Sequence, residues 1–220
     1  MEINIHKSFS SKLEREWITL ENHSLGVTPF QSYAWISHWF KEVGSPVYKV
    51  DPAIVKISFN GKSHMILPFG IRLSNGVRIL EWMGGIQTDY MLPLSLEGSN
   101  ILFNDFENIW SLIYEKLPHY DILYLGKQPN IIGNIANPFV TKFPHNELTN
   151  SHQAILEDTW EKYAAKNVSK KVLADTRRQF RRLSELGKLR FIVADNESKI
   201  NEITKFMIFQ KSKRFNKKGT

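Results

Sequence analysis

The 220-residue chain contains no cysteine. That excludes disulfides, thiolate metal sites and a cysteine nucleophile, and it suits a reducing cytoplasm, where the protein is expected. Long apolar runs are also missing. None approaches the roughly 20 residues that a membrane-spanning helix needs, and the opening stretch MEINIHKSFSSKLEREW holds no apolar segment of signal-peptide length. The phosphate-cradling patterns G-x-x-x-x-G-K-S/T and G-x-G-x-x-G do not occur, nor does H-E-x-x-H or a G-x-S-x-G elbow. The seven histidines (6, 23, 38, 64, 119, 145 and 152) never pair at i, i+3 or i, i+4, so no metal is expected. Repeats and low-complexity linkers are absent as well.

What is present is a core and a concentration of charge. Apolar residues make up 42% of the chain, with six Trp and fourteen Phe, enough for one large or two small domains. The net charge is +7, and the stretch Lys166–Arg190 carries all of it: nine Lys and Arg against Asp175 and Glu185. Basicity is therefore local. It lies in SKKVLADTRRQFRRLSELGKLR, residues 169–190. At helical spacing Val168, Val172, Thr176, Leu183 and Leu186 share one face, with Leu173 and Phe180 at its edge. Lys170, Lys171, Arg177, Arg178, Arg181 and Arg182 share the other. Gly187 is expected to end this helix in a left-handed C-cap, and LRFIVA, residues 189–194, to follow as a strand.

The rest of the chain alternates helical and extended periods. Glu2–His6 reads as a short strand. Ser10 or Ser11 caps a helix to about Glu21 with Leu13, Trp17 and Leu20 on one face. Residues 29–44 read as one helix stopped by Gly44. Ala53–Phe59, Ser63–Arg72 and Val77–Met83 read as three consecutive antiparallel strands, joined by the hairpin turns Asn60-Gly61 and Asn75-Gly76. Pro68 marks an edge or a bulge. Asp89–Leu94 is a fourth extended segment, Phe106–Leu117 a helix, Tyr120–Leu125 a buried strand, and residues 138–157 one or two weak strands. A short helix started by Asp158 or Thr159 leads into the basic helix. A last one runs from about Ser198 to Phe215, with Ile200, Ile203, Phe206, Met207 and Phe209 as its core face. The fold class is α+β.

Three features are candidates for function. Gly84-Gly85 follows a strand and reads as a bulge or tight turn, with no helix N-terminus behind it to hold a pyrophosphate. Asp89-Tyr90 follows that turn. Asp89 either orients an amine or main-chain amide, or forms an Asx-turn while Tyr90 enters the core. The basic helix is a solvated face with its apolar side packed, an anion-binding face, or a partner interface. Arg178 and Arg182 lie one turn apart, a spacing that suits phosphate oxygens.

Several stretches together resemble one family: TPFQSYAWISHWF, NGVRILEWMGGIQTDYM, YDILYLGKQP, SKKVLADTRRQFRRLSELGKLRF and FMIFQKSKRFNKKGT. In their order and spacing they look like the CelD/BcsL-type acyltransferases of the GNAT superfamily, related in build to the Fem-type aminoacyl-tRNA-dependent transferases. The resemblance implies two GNAT-like domains in tandem. The first, residues 1–150, is degenerate, with a mixed, largely antiparallel sheet flanked by helices. The second opens over residues 158–220 with a helix, a strand and a helix, in a longer chain of which this is the front part.

The implied reaction moves an acyl group from acyl-CoA (acetyl-CoA) to an amine or hydroxyl acceptor, in polysaccharide or envelope metabolism. CoA is expected on a loop of the form Q/R-x-x-G-x-G/A, which this sequence lacks, so no cofactor-binding residue is assigned here and these 220 residues alone are expected to be inactive. Asp89 and Tyr90 at the interdomain cleft, and Arg178, Arg182 and Arg214 toward an anionic substrate or simply solvent, are put forward as contributors; none matches a catalytic residue of the family, and the general base is unassigned. The contrasting expectation is a non-catalytic module that presents the basic helix to RNA or an anionic glycan.

Overall fold

A computed structural model describes residues 1–24, 27–97, 104–132, 135–146 and 154–218. The chain divides into two compact units, Met1–Leu148 and Thr149–Thr220.

The first unit is mixed α+β. Strand β1 (Glu2–His6) is followed by helix α1 (Ser11–Glu21). The Ser10 side chain accepts from Leu13 N at 3.2 Å and starts that helix. The single helix expected over 29–44 is instead three pieces: a 3-10 turn at Pro29–Gln31, helix α2 (Tyr33–Trp39) and one π turn at Phe40–Gly44. Ser32 is the cause of the first break. Its backbone is extended, and its hydroxyl accepts from Trp35 N at 3.1 Å, capping α2 afresh. In the π turn Ser45 N donates to Phe40 O at 2.7 Å. Gly44 sits there because a Cβ would lie 2.6 Å from the Trp39 ring.

Six strands follow: β2 (Asp51–Pro52), β3 (Ile54–Phe59), β4 (Lys62–Leu67), β5 (Phe69–Ser74), β6 (Val77–Trp82) and β7 (Leu94–Ser95). Both hairpin turns form as the sequence predicts. Asn60 and Gly61 have φ of 48° and 76°, Asn75 and Gly76 of 51° and 82°, so both central residues are left-handed. The expected return strand 63–72 breaks at Pro68, which has no N–H to give a ladder. There the chain passes from one sheet to another. β4 belongs to an antiparallel sheet ordered β1-β3-β4-β7. β5 belongs to a second sheet, β2-β5-β6 plus β8 (Ile122–Tyr124), in which β6 and β8 are parallel. Of the segment 89–94 only its last residue, Leu94, joins a ladder, paired with Ile66.

Helix α3 (Phe106–Tyr114) crosses between β6 and β8. Strand β8 is shorter than expected, and its Ile122 and Tyr124 are exposed, so it is an edge strand and not a buried one. Beyond it lie a two-residue ladder, β9 (Ile131–Ile132) with β10 (Ile135–Ala136), and helix α4 (Pro138–Lys142). The weak strands expected after 138 therefore start as a helix. Asn137 accepts from Phe139 N at 3.1 Å, and Pro138 sits at the first helical position, where its missing N–H costs nothing. The rest of that expectation falls partly on 147–153, outside the described residues.

The core lies on both faces of the sheets. On one, Leu13, Trp17 and Leu20 of α1 and Ile36 and Trp39 of α2 meet Ile54, Ile66 and Met83. On the other, Phe106, Ile109 and Ile113 of α3 and Phe139 of α4 meet Val55, Ile57, Leu67 and Phe69. Strand β3 is thus buried on both sides, and each large side chain so covered contributes on the order of 2 kcal/mol.

The second unit is helical among the described residues: α5 (Trp160–Asn167), α6 (Lys170–Leu186) and α7 (Glu197–Lys218). Thr159 caps α5 and Ser169 caps α6. Two expectations fail here. The strand 189–194 does not form, because no other described strand in this unit offers a ladder; Phe191 and Val193 are exposed. Gly187 has φ 158° and ψ −178°, so the chain leaves α6 extended and not through a left-handed cap. Nor are the apolar faces covered. Val172, Phe180, Leu183 and Leu186 on α6 are exposed, as are Ile200, Ile203, Phe206, Met207 and Phe209 on α7. Among the described residues no helix is long and apolar enough to cross a membrane.

Candidate functional site

Strands β6 and β8 run in the same direction and end side by side, at Trp82 and Tyr124. A cavity of about 250 Å³ opens beyond those ends. Its walls are aromatic: Trp39 from α2, Tyr48 from the turn after the π turn, Trp82 and Tyr124. Trp39 and Tyr48 are near-parallel, with ring centroids 6.3 Å apart and an interplanar angle of 23°. Ligand pockets are generally built this way, from apolar walls and a few placed polar groups.

Three charged side chains line the cavity: Arg72, Glu81 and Lys127. Arg72 on β5 and Glu81 on β6 are diagonal neighbours across the Asn75-Gly76 hairpin, where Arg72 faces Ile79 and Gly70 faces Glu81. The guanidinium donates twice to the carboxylate, Nε to Oε1 at 2.8 Å and a terminal nitrogen to Oε2 at 3.2 Å. The hydrogen bonds to Glu81 hold Arg72 above the usual guanidinium range and outweigh burial, which pulls it down; the charges of Glu81 and Tyr48 act with the bonds. The pair is compensated and pre-oriented.

Lys127 differs. Its Nζ donates to Ile86 O at 3.0 Å and to Thr88 O at 2.5 Å, and it forms no ion pair among the described residues. It ties down the loop between β6 and residue 91, and Lys127 O in turn accepts from Met91 N at 3.0 Å. Two indoles of α2 hold the same loop. Trp35 Nε1 donates to Thr88 Oγ1 and Trp39 Nε1 to Gln87 Oε1, each at 3.1 Å. Gly84 and Gly85 make the loop possible. Gly84 has φ 123°, and a Cβ on it would meet Thr88 Oγ1 at 2.1 Å. Gly85 has φ 56°, and a Cβ would press on Trp39 Cζ2 at 3.0 Å. The expected tight turn is therefore formed, leading into a three-residue 3-10 turn (Gly85–Gln87).

A last feature is a donor without a partner. The Trp82 indole N–H is buried and unbonded, although the residue lines the cavity. Such a group costs about 1–3 kcal/mol.

The residues put forward from the sequence lie elsewhere. Asp89 is exposed, and its Asx-turn does not form. Tyr90 is half-buried against Phe30, with centroids 6.4 Å apart. Neither lines the cavity, though their loop is the one that closes it. Arg178 pairs with Asp175 on α6, while Arg182 is exposed on the same helix and Arg214 on α7. The cavity's own residues were missed because each has a bland sequence reading. Trp39 fits a core stripe, and Arg72 and Glu81 fit the polar positions of strands. One signal was available: with the Asn75-Gly76 turn fixing the register, opposite charges at 72 and 81 fall on one face of a hairpin.

Among known proteins, no family model, no curated sequence and no solved structure matches this chain.

Proposed function

We propose that this chain is part of an acyltransferase of the GNAT type and that residues 1–148 recognise the acceptor, an amine or hydroxyl compound. The observation that carries this reading is the aromatic cavity at the ends of the parallel pair β6 and β8, inside a mixed, largely antiparallel fold flanked by helices. That architecture is the one the resemblance implies for the first domain. In the reaction the acceptor's nitrogen or oxygen forms a bond to the acyl carbon, the thioester C–S bond breaks, and the acceptor's proton passes to a base.

The residues of this unit do not fit CoA. A pyrophosphate needs a row of free backbone N–H groups at a helix N-terminus. The Gly84-Gly85 turn leads only into a 3-10 turn of three residues. No step through CoA is therefore assigned to these residues. Acyl transfer is tested in a protein that carries this chain together with a CoA-binding domain, by following thiol release from acetyl-CoA with a panel of amines and alcohols. Release that depends on both the protein and the acceptor supports the reading, and is expected to fall at least tenfold in Trp39→Ala. Release that ignores the acceptor contradicts it.

A second reading is a non-catalytic module that binds RNA or an anionic glycan through α6. One observation favours it. Of the four arginines on that helix, Arg178 alone has a carboxylate partner among the described residues, and the face is exposed along its length. Phosphate contact would make binding fall steeply with salt. Replacing Arg178 and Arg182 with Gln should then flatten the slope by about two units.

A further inference from the structure

The hydrogen-bonding inventory of the cavity is lopsided. A guanidinium carries five N–H donors and no acceptor, an ammonium three donors and no acceptor, and an indole one donor. Glu81 takes two of the Arg72 donors, and the carbonyls of Ile86 and Thr88 take two from Lys127. Donors of Arg72 and one N–H of Lys127 remain. Among the lining side chains, the spare lone pairs of Glu81 and the hydroxyls of Tyr48 and Tyr124 stand against them. Charge is lopsided in the same sense: Arg72 and Glu81 cancel, and Lys127 leaves one positive charge. Aromatic walls without a surplus charge would suit a cationic guest. Here the surplus cation opposes one.

We infer that this cavity binds a small, flat, mostly apolar molecule bearing one anionic group, a carboxylate or a phosphate monoester, with the anion on Lys127 and Arg72 and the apolar body between Trp39, Tyr48 and Tyr124. Its volume holds about eight waters at ~30 Å³ each, which suits a ligand of about 8 to 12 non-hydrogen atoms. The inference rests on the proposed function in one respect: it makes the acceptor an amino or hydroxy acid with an apolar body, or its phosphate counterpart. The binding claim itself needs no acyl donor.

The test is calorimetric titration of the whole chain with phenylacetate, phenyl phosphate and phenethylamine. Each carries the same ring, and they differ in the charged group. Binding of either anion at least tenfold tighter than the amine is expected, and the better of the two anions identifies the source. Lys127→Gln should weaken the preferred anion about tenfold, and Lys127→Arg should restore most of it. Lys62→Gln, the same charge change on an exposed hairpin, should leave it within about twofold. If Lys127→Gln loosens the fold, Lys127→Arg alone still decides, because it keeps the charge. Equal or tighter binding of the amine, no binding of either anion, or loss in Lys62→Gln as large as in Lys127→Gln overturns the inference. Anion binding without acyl transfer in the thiol assay removes only the transferase reading.

Discussion

Lys56 lies on β3, a strand buried on both faces, and is itself 7% exposed. Its Nζ sits 2.5 Å from Glu16 Oε2 on α1. Removing one partner of a buried ion pair strands the other charge, at about 3–5 kcal/mol when both are fully enclosed. The Lys56 side chain is 9% exposed and that of Glu16 24%, so water reaches the carboxylate more easily than the ammonium. The two single substitutions should therefore differ. Glu16→Gln strands the deeper charge and should cost about 3 kcal/mol, while Lys56→Met leaves a carboxylate with access to water and should cost about 1 kcal/mol. The double substitution Glu16→Leu with Lys56→Met removes both charges and should lie within about 1 kcal/mol of the parent. Urea denaturation of the four proteins closes the cycle, with a coupling of about 3–5 kcal/mol expected. Costs that simply add to within about 0.5 kcal/mol, or a smaller loss for Glu16→Gln than for Lys56→Met, would refute the reasoning.

Other predictions follow from single positions. His6 faces Lys56, Glu16 and Lys12. Burial first, and then the charge of Lys56, hold its pKa below 6.5, with Glu16 opposing and Lys12 adding to the depression. Above 6.5 the ring is neutral in both the folded and the unfolded chain. Below 6.5 the unfolded chain takes up the proton first, so stability should fall as pH drops from 6.5 toward the folded value. Urea midpoints at pH 7.5 and 5.5 should show that fall, and His6→Gln should shrink it. Gly84→Ala should cost more than about 2 kcal/mol, since it combines a φ of 123° with a Cβ 2.1 Å from Thr88 Oγ1. Gly61→Ala has a φ of 76° but no atom within 4 Å, and should cost only about 1 kcal/mol. Gly44→Ala should push the Trp39 ring, 2.6 Å away, and weaken any cavity ligand by more than it lowers the urea midpoint.

Much of the fold was legible because local chemistry decided it. Asn60-Gly61 and Asn75-Gly76 admit few conformations other than a tight hairpin, and Ser10 and Thr159 cap the helices that follow them. The failures have two causes, partners distant in sequence and a local cap. LRFIVA has strand propensity, but a strand needs a neighbour to take its hydrogen bonds, and none is described in its unit. Ser32 broke a helix whose apolar spacing was sound, because its hydroxyl served as a cap. The site was the least legible part. Asp89 and Tyr90 drew notice because they follow two glycines, yet the loop's role is to close a cavity whose walls come from α2, β6 and β8. No local pattern announces that Trp39, Arg72 and Lys127 converge; the parallel pairing of β6 with β8 brings them together.

The account stands on the cavity between Trp39, Tyr48, Trp82 and Tyr124 being where the substrate sits. The most direct measurement is the set of six indole N–H signals in a nitrogen-15 NMR titration with phenylacetate, each assigned by Trp→Phe substitution. The account predicts that the Trp39 and Trp82 signals move together along one saturable curve, while Trp17, buried against Gln31, and Trp160 in α5 stay in place. Saturable movement confined to Trp160, or none at Trp39 and Trp82, would contradict it.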